Sequence, residues 1–252
     1  MHKIFAKPLF LGKKVVFLPQ CHSTNDELVM MARKSNEPEG TVIYTDYQKK
    51  GKGQRGNIWV AEPGKNVLMS VLLRPKFLSP QDQYYLNLIA GLAIVDTLKG
   101  FIHKSISLKW PNDVYVEDRK IAGVLIENNL RGSMLEYSVV GIGLNVNQSG
   151  FDIQTATSVY LAAGEKYQVQ EVMEELLLHL EGWYLKLKNG DRSKIQDQYL
   201  NLLMWRGELR RFRSSDGEFD GEIVGIDSHG RLNINSKGRL QSFGIKEVEF
   251  IG

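Results

Sequence analysis

The sequence predicts an α+β fold followed by a second, small all-β unit. Two observations support this. Residues 23–203 mix strand-like and helical segments, whereas residues 205–252 contain only short alternating segments separated by turns. The pattern changes near residue 204, so we expect one unit over residues 1–204 and a second over residues 205–252. At 252 residues the chain is long enough to bury a sizeable core.

The first unit starts with a helix signal and continues into strands. Small polar capping residues and acids at 23–27 precede an apolar run, and Gly40 ends that helical unit. Residues 41–47 alternate and are β-branched, and residues 67–73 are almost continuously apolar, so both segments predict strands. Between them, residues 48–64 are rich in glycine and show no period, which indicates a long loop.

Further elements follow in order. Ser79-Pro80-Gln81-Asp82 opens a helix that ends near Gly100, because apolar residues recur on one face at helical spacing. Four more strands are predicted over residues 106–109, 114–116, 121–127 and 136–144. Helices are predicted around residues 159–163, along the apolar stripe of residues 172–187, and over residues 191–203.

The second unit has turn signals at short intervals. Residues 214–217, 228–230 and 236–238 combine glycine with serine, histidine, lysine or aspartate, and each lies between alternating segments of four to eight residues. This spacing is typical of a small all-β barrel.

Composition excludes several classes of protein. There are 32 basic and 29 acidic residues, giving a net charge of +3, so this is no polybasic nucleic-acid coat. A single cysteine excludes an intramolecular disulfide framework and a cysteine-rich zinc site. No apolar run reaches the roughly 18 residues of a membrane span, and the first 20 residues lack a signal-peptide pattern. We therefore expect a soluble, cytoplasmic protein.

The glycine-rich loop contains the sequence G-x-G-x-x-G at residues 51–56. A dinucleotide fold would need a helix directly afterwards and an acid about 20 residues on, and neither is present. What remains is a flexible loop with four cations: Lys49, Lys50, Lys52 and Arg55. It fits either an anion cradle or a solvated hairpin.

A compact polar turn lies between two predicted strands, in the sequence Lys109-Trp110-Pro111-Asn112-Asp113. It combines a cation, an amide and a carboxylate. Asp113 is suited to holding Mg²⁺ on a nucleotide, because hard cations prefer carboxylate oxygens. The alternative is a capped turn with a surface ion pair.

Glycines interrupt two apolar strands. Lys120 heads a strand that contains Gly123, while Gly141 and Gly143 lie two apart in the next strand and so clear one face of it. Bare patches of this kind make a floor on which a flat ligand can lie. The alternative is a bulge, or a helix packed against the sheet.

Together these segments resemble the biotin protein ligases, also called biotin–[acetyl-CoA carboxylase] ligases. The segments that carry the resemblance occur in the family's order: Ser23-Thr24-Asn25, Gln48, the loop of residues 51–56 with Trp59, residues 109–113, residues 119–127, and residues 141–145. The match runs from about residue 15 to residue 150, and the β-rich end also fits the family's C-terminal domain.

The resemblance implies a catalytic domain like that of class II synthetases, with a mixed, mostly antiparallel sheet and flanking helices, followed by a small SH3-like β-barrel. It implies a two-step reaction in which biotin and ATP with Mg²⁺ give biotinyl-5′-AMP and pyrophosphate. A lysine of a biotin carboxyl carrier protein, from acetyl-CoA carboxylase or a related carboxylase, then takes the biotin and releases AMP.

The resemblance also implies roles for individual residues. Catalytic roles fall to Lys120, Lys109, Asp113, Lys52 and Arg55. Biotin contacts are Ser23, Thr24, Asn25, Gln48, Gly51, Gly53, Gln54, Lys120, Gly123, Leu125, Gly141 and Gly143. Nucleotide contacts are Lys52, Gln54, Arg55, Trp59, Asn112, Asp113 and Asn145, and Asp113 is the metal ligand.

The chain departs from the family's pattern in two places. Lys52, Gln54 and Asn57 stand where the loop often has arginines, so contact with phosphate there loses the arginine fork. The chain starts about 20 residues before Ser23, which leaves no room for the helix-turn-helix of the repressor-type members. We therefore expect no specific DNA binding. A homodimer is an open alternative, because an open sheet edge could pair two copies and the resemblance allows a dimer.

Two other functions remain as alternatives. A lipoate or octanoate enzyme of the same superfamily would need different specificity, and the octanoyltransferases use a cysteine nucleophile, for which only Cys21 is available. A nucleic-acid-binding module would use the basic loop and the β-rich end. The balanced charge and the lack of interleaved aromatic and basic residues argue against that. The five histidines show no metal-ligand spacing.

Overall fold

The computed structural model describes residues 7–152 and 155–251. The first unit contains strands β1 (Val15–Cys21), β2 (Val42–Gln48), β3 (Asn66–Leu73), β4 (Ile106–Lys109), β5 (Asp113–Val116), β6 (Arg119–Arg131) and β7 (Met134–Asn145). Its helices are α1 (Thr24–Lys34), α2 (Tyr84–Lys99), α3 (Val159–Ala163), α4 (Val169–Lys188) and α5 (Arg192–Asn201). The end of the chain adds β8 (Leu209–Ser214), β9 (Gly217–Ile226), β10 (Leu232–Ser236), β11 (Arg239–Phe243) and β12 (Val248–Phe250).

Seven strands form one mixed sheet in the order β1-β2-β3-β7-β6-β5-β4. Only β1 and β2 run parallel, and every other neighbouring pair is antiparallel. This confirms the α+β fold with a mixed, mostly antiparallel sheet and flanking helices. In the described part of the chain, no helix is long and apolar enough to span a membrane.

The two faces of the sheet pack against different helices. Because side chains alternate along a strand, Val71 and Leu73 join the large core with α2 and α4, whereas Leu72 joins a small cluster with Leu28 of α1. Val71 pairs with Val140 of β7. Leu72 is next to Val71, and Gly141 and Gly143 lie one and three residues after Val140, so all three lie on the face opposite to Val71. The glycines therefore open onto the α1 face.

The last five described strands form an open antiparallel sheet in the order β11-β10-β9-β8-β12. The strands β11 and β12 are edges that do not pair with one another, so the expected barrel is not closed. The unit itself is all-β, as its turn signals predict. The division between residues 204 and 205 stays a prediction, because apolar residues of both regions join one core cluster, for example Leu203 and Phe212.

Several elements differ in detail from the sequence prediction. The strand β1 has no counterpart in it. The helix α1 ends at Lys34, several residues before Gly40, and the helix predicted from Ser79 begins with a 3-10 turn over Pro80–Gln83. Ser23 occupies the N-cap of α1, but its side chain makes no capping hydrogen bond.

Candidate active site

A cleft of about 470 Å³ opens on the α1 face of the seven-stranded sheet. Its floor is formed by β6 and β7, and the start of α1 and the glycine-rich loop flank it. The turn between β4 and β5 forms another wall. Residues 245–250, at the end of the chain, complete the rim, so the cleft is built from both regions of the fold.

The start of α1 brings a set of polar side chains to the cleft. The Gln48 side-chain oxygen accepts hydrogen bonds from the Thr24 backbone N–H (2.8 Å) and from the Thr24 hydroxyl (3.2 Å). Ser70, which is fully buried in β3, places its hydroxyl oxygen 2.7 Å from that of Thr24. Ser23 is buried beside them at the cleft wall. These contacts fix Thr24 and Gln48 before any ligand binds.

Asn25 is held by three partners. It accepts from the Ser70 hydroxyl (2.6 Å), and its amide donates to the Leu125 carbonyl (3.2 Å) and to the Glu127 carboxylate (2.8 Å). Its Oδ1 fills the space where a Gly141 side chain would stand, only 2.2 Å from an ideal Cβ position. Gly141 therefore has a packing role towards α1, which is the alternative the sequence left open for these glycines.

Trp59 covers the other part of the glycine floor. Gly123 and Gly143 are direct cross-strand partners in β6 and β7. An ideal Cβ on Gly143 would lie 2.5 Å from the Trp59 indole, and one on Gly123 would lie 3.1 Å from it. The indole N–H is buried and has no hydrogen-bond partner among the described residues. The cleft thus holds an unpaired donor, which a ligand could satisfy.

Lys120 and Asp113 form an ion pair inside the cleft, with 2.7 Å between Nζ and Oδ1. Their side chains are 32% and 23% exposed, so the pair is only partly screened by water. The Lys120 ammonium also lies 5.6 Å from the Trp59 ring centroid. Its backbone is fixed on β6, because its N–H donates to the Thr155 carbonyl (2.7 Å) and its carbonyl accepts from Thr157 (2.9 Å).

The acids of the turn before Lys120 do not pair with it. Glu117 pairs with Lys104, and Asp118 lies nearest to Arg119. Lys120 instead points into the cleft.

The turn between β4 and β5 is anchored on both sides. The Asn112 amide donates to the Val124 carbonyl, and the Val124 N–H donates to the Asn112 carbonyl (2.9 Å). The Trp110 indole N–H donates to the Gly230 carbonyl of the C-terminal sheet (2.9 Å). Lys109, at the end of β4, lies behind the cleft lining, and burial lowers the pKa of its ammonium.

The glycine-rich loop is a small hairpin in this structure. Trp59 donates to the Gly51 carbonyl (2.9 Å), and Gly53 donates to the Asn57 carbonyl (2.7 Å). Lys52 forms an ion pair with Asp26 of α1, and the hydrogen bond to Asp26 raises the pKa of its ammonium. Lys52, which is predicted to contact phosphate, is thus paired with a carboxylate in this structure.

Most residues singled out in the sequence meet in this cleft. Its lining includes Ser23, Thr24, Asn25, Gln48, Lys52, Gly53, Gln54, Trp59, Asn112, Asp113, Lys120, Gly123, Leu125, Gly141 and Gly143.

Three residues singled out in the sequence lie outside the lining. Gly51 pairs with Trp59 backbone to backbone, Lys109 lies behind the lining, and Asn145 is buried, donating to the Thr157 carbonyl (2.9 Å). The Arg55 side chain lies outside the part of the chain that the structure describes.

Other residues at the cleft were missed by the sequence reasoning. Ser70 and Glu127 hold the polar network, and Lys246, Glu249 and Phe250 belong to the rim. A lone serine within the fully buried strand β3 is a signal that could have been found. No local signal marks the C-terminal residues, because only the tertiary fold brings them to the cleft.

The remaining candidates for chemistry are weak. Cys21 is buried, burial raises the pKa of its thiol, and it does not line the cleft, all of which oppose a nucleophilic role. Within residues 7–152 and 155–251, no group of three or more histidine, cysteine, aspartate or glutamate side chains could hold a metal ion.

Comparisons with known proteins find relatives of this chain. The model of the biotin/lipoate A/B protein ligase family matches residues 17–145. The chain is 32% identical to the bifunctional ligase/repressor BirA of Escherichia coli over 91% of this chain and 72% of that protein. It is 29% identical to the biotin–[acetyl-CoA-carboxylase] ligase of Mycobacterium tuberculosis over 87% and 82% of the two chains.

A solved structure has the same fold. The biotin protein ligase from Aquifex aeolicus in complex with biotin and ATP superposes with a TM-score of 0.79 at 28% identity, covering 94% of this chain and 98% of that one.

Proposed function

The chain belongs to the biotin/lipoate A/B protein ligase family, and on that premise we propose how its cleft works. It is an ATP-dependent biotin–protein ligase, which activates biotin as biotinyl-5′-AMP and transfers it to a lysine of a biotin carboxyl carrier protein. The observation that carries the residue roles is the Lys120–Asp113 pair, set between the polar start of α1 and the glycine-rich loop.

The first step joins two anions. A biotin carboxylate oxygen attacks the α-phosphorus of ATP, a P–O bond to the β-phosphate breaks, and pyrophosphate leaves with the bonding electrons. We assign Lys120 to this step, because a fixed ammonium reduces the repulsion between carboxylate and phosphate and stabilises the charge that builds in the transition state. Lys52 and Arg55 would contact the phosphates from the loop.

The second step transfers the acyl group. The neutral ε-amine of the carrier lysine attacks the carbonyl carbon of the mixed anhydride, the bond from that carbon to the phosphate oxygen breaks, and AMP leaves. The amine loses one proton as the amide forms. We propose the carrier domain of acetyl-CoA carboxylase or a related carboxylase as the acceptor.

The polar network at the start of α1 is suited to the ureido group of biotin. Ser23, Thr24, Asn25 and Gln48 supply hydroxyl and amide groups. Ser70 and Glu127 already position Thr24 and Asn25, and Thr24 in turn holds Gln48. A head group that both donates and accepts hydrogen bonds matches such donors and acceptors. The dithiolane ring of lipoate lacks strong hydrogen-bonding groups, so each polar group of this network that it buried without another partner would cost about 1–3 kcal/mol.

Mg²⁺ fits this cleft as an ion brought by the nucleotide. Magnesium usually binds through one or two carboxylates together with substrate phosphates, and Asp113 is a carboxylate at the cleft. When bound, the ion would neutralise phosphate charge. Asp113 would hold the ion while remaining close to Lys120, so this one carboxylate would orient both Mg²⁺ and the Lys120 ammonium.

Biotin-dependent exchange of pyrophosphate into ATP tests the function. We expect rapid exchange with biotin and only background rates with lipoate, octanoate or no acid. Comparable exchange with lipoate or octanoate would contradict the substrate assignment.

Two partner statements are also proposals. We expect no sequence-specific complex with duplex DNA at physiological salt, which a titration measures. A homodimer through an open sheet edge, such as β1, would appear as a doubled mass in sedimentation.

A further inference from the structure

Lys109 is an ammonium at the back of the cleft that lies against two aromatic rings. Its Nζ lies 5.0 Å from the ring centroid of Phe250 and 5.3 Å from that of Tyr115. Among the described residues, no carboxylate oxygen lies within ion-pair distance of it, and its cross-strand partner Asp113 acts on it only from farther away. A partly desolvated cation with no direct ion pair is costly, so a nearby anionic ligand would be attracted to it.

Phe250 belongs to the C-terminal sheet. It lies on β12, where its ring packs edge-on against Phe212 (5.5 Å between centroids) and tilted against Trp205 (5.4 Å). These two rings fix Phe250, and Phe250 also lines the cleft. A ring held in this way presents a fixed negative face to the ammonium, and such an attraction strengthens when water is excluded.

We propose that Phe250 is a positioning residue of the ligase reaction, which holds the Lys109 ammonium where it attracts the phosphates of ATP. This rests on the proposed function. Through Phe250, the C-terminal sheet acts on the nucleotide half of the cleft. The adjacent Trp110 is held by the same sheet through its bond to Gly230, so the turn of residues 109–112 is fixed at two points.

The structure offers a matched control. Phe219 also packs on Phe212, at 5.8 Å between ring centroids, but it does not line the cleft or contact Lys109. The variants Phe250→Leu and Phe219→Leu therefore remove the same ring from the same sheet core. Only the first removes the face presented to Lys109.

The test is the KM for ATP in biotin-dependent pyrophosphate exchange. Phe250→Leu should raise this KM about threefold to thirtyfold with little change in kcat, because the attraction is present before the reaction starts. Phe250→Tyr should keep the KM within about twofold, since the aromatic face remains. Phe219→Leu should leave it unchanged. In a Lys109→Met chain, Phe250→Leu should have no further effect on the KM.

Equal KM values for Phe250→Leu and Phe219→Leu would overturn the inference. So would an effect of Phe250→Leu that persists undiminished in the Lys109→Met chain. Failure of the proposed function is distinguishable, because then the unaltered chain itself would give no biotin-dependent exchange.

Discussion

The ion pair of Lys120 and Asp113 sets the first prediction at the scale of single residues. The Lys120 ammonium is held 2.7 Å from a carboxylate, on a strand whose backbone is bonded on both sides. Removing one preorganised donor of this kind typically costs about 10²–10³ in rate. We expect Lys120→Ala to lower the rate of biotin-dependent pyrophosphate exchange by at least about a hundredfold.

Lys104 provides the matched control for that variant. It is an exposed lysine whose ion pair with Glu117 lies away from the cleft, and such surface pairs contribute at most about 1 kcal/mol. Lys104→Ala should change the exchange rate by less than about twofold. If folded Lys120→Ala changes it by less than about fivefold, Lys120 has no catalytic role, and Lys52 becomes the candidate.

Gln54 gives a second prediction at this scale. It lines the cleft as a neutral residue on the glycine-rich loop. An arginine there would supply a fork of donors to the adenylate phosphate, and charge-assisted hydrogen bonds are roughly twice as strong as neutral ones. Gln54→Arg should therefore slow release of preformed biotinyl-AMP, measured with a radiolabelled adenylate. An unchanged release rate would mean that position 54 does not touch the adenylate.

Single residues also show where sequence reasoning works and where it stops. Residues with unusual chemistry for their segment, such as Gly143 in an apolar strand or Asp113 in a tight turn, lie in the cleft. Asn145 looks similar in sequence and lies on the same face of β7 as Gly143, but it is buried beyond the cleft lining, where its amide donates to the Thr157 carbonyl. Phe250 could not be found, since nothing local distinguishes it from a core phenylalanine.

At the scale of elements, the predictable segments are those with one strong pattern. The strands β3 and β7 and the helix α4 carry continuous or periodic apolar residues, and all three form as expected. The strand β1 was missed because it is a half-exposed edge that contains Pro19, and prolines and polar residues weaken a strand pattern. The early end of α1 coincides with Ser35, which has an extended backbone and whose hydroxyl donates to the Met31 carbonyl (3.0 Å).

The glycine-rich loop carries the prediction at this scale. Its hairpin has few backbone hydrogen bonds, and Lys52 is paired with exposed Asp26. A bound adenylate would offer Lys52 a phosphate and add contacts along residues 52–58. We expect amide hydrogen exchange of this segment to slow on adding biotinyl-AMP. Exchange at the end of β6 near Arg131, which lies away from the cleft, should stay unchanged. Equal protection of the loop in both states would contradict this.

At the scale of the whole molecule, the C-terminal sheet is joined to the first unit through Gly230. This residue lies in the turn between β9 and β10 at φ +75°, and its carbonyl accepts from the Trp110 indole. An ideal Cβ there would lie 2.6 Å from Tyr84, the first residue of α2. The turn thus packs between α2 and the wall of the cleft.

Gly238 is the control for Gly230 in the last prediction, because it shares the backbone conformation but not the packing. It has nearly the same φ, +80°, in the next turn, but an ideal Cβ would meet nothing within 4 Å. Gly238→Ala should cost about 1–2 kcal/mol of unfolding free energy, from the left-handed backbone alone. Gly230→Ala should cost that amount plus about 1–3 kcal/mol, because the turn must move away from Tyr84. Urea unfolding of both variants measures the difference.

Since moving the turn also weakens the bond to Trp110, Gly230→Ala should raise the KM for ATP while Gly238→Ala leaves it unchanged. Equal unfolding free energies and equal KM values would mean that the two regions are not coupled through this contact.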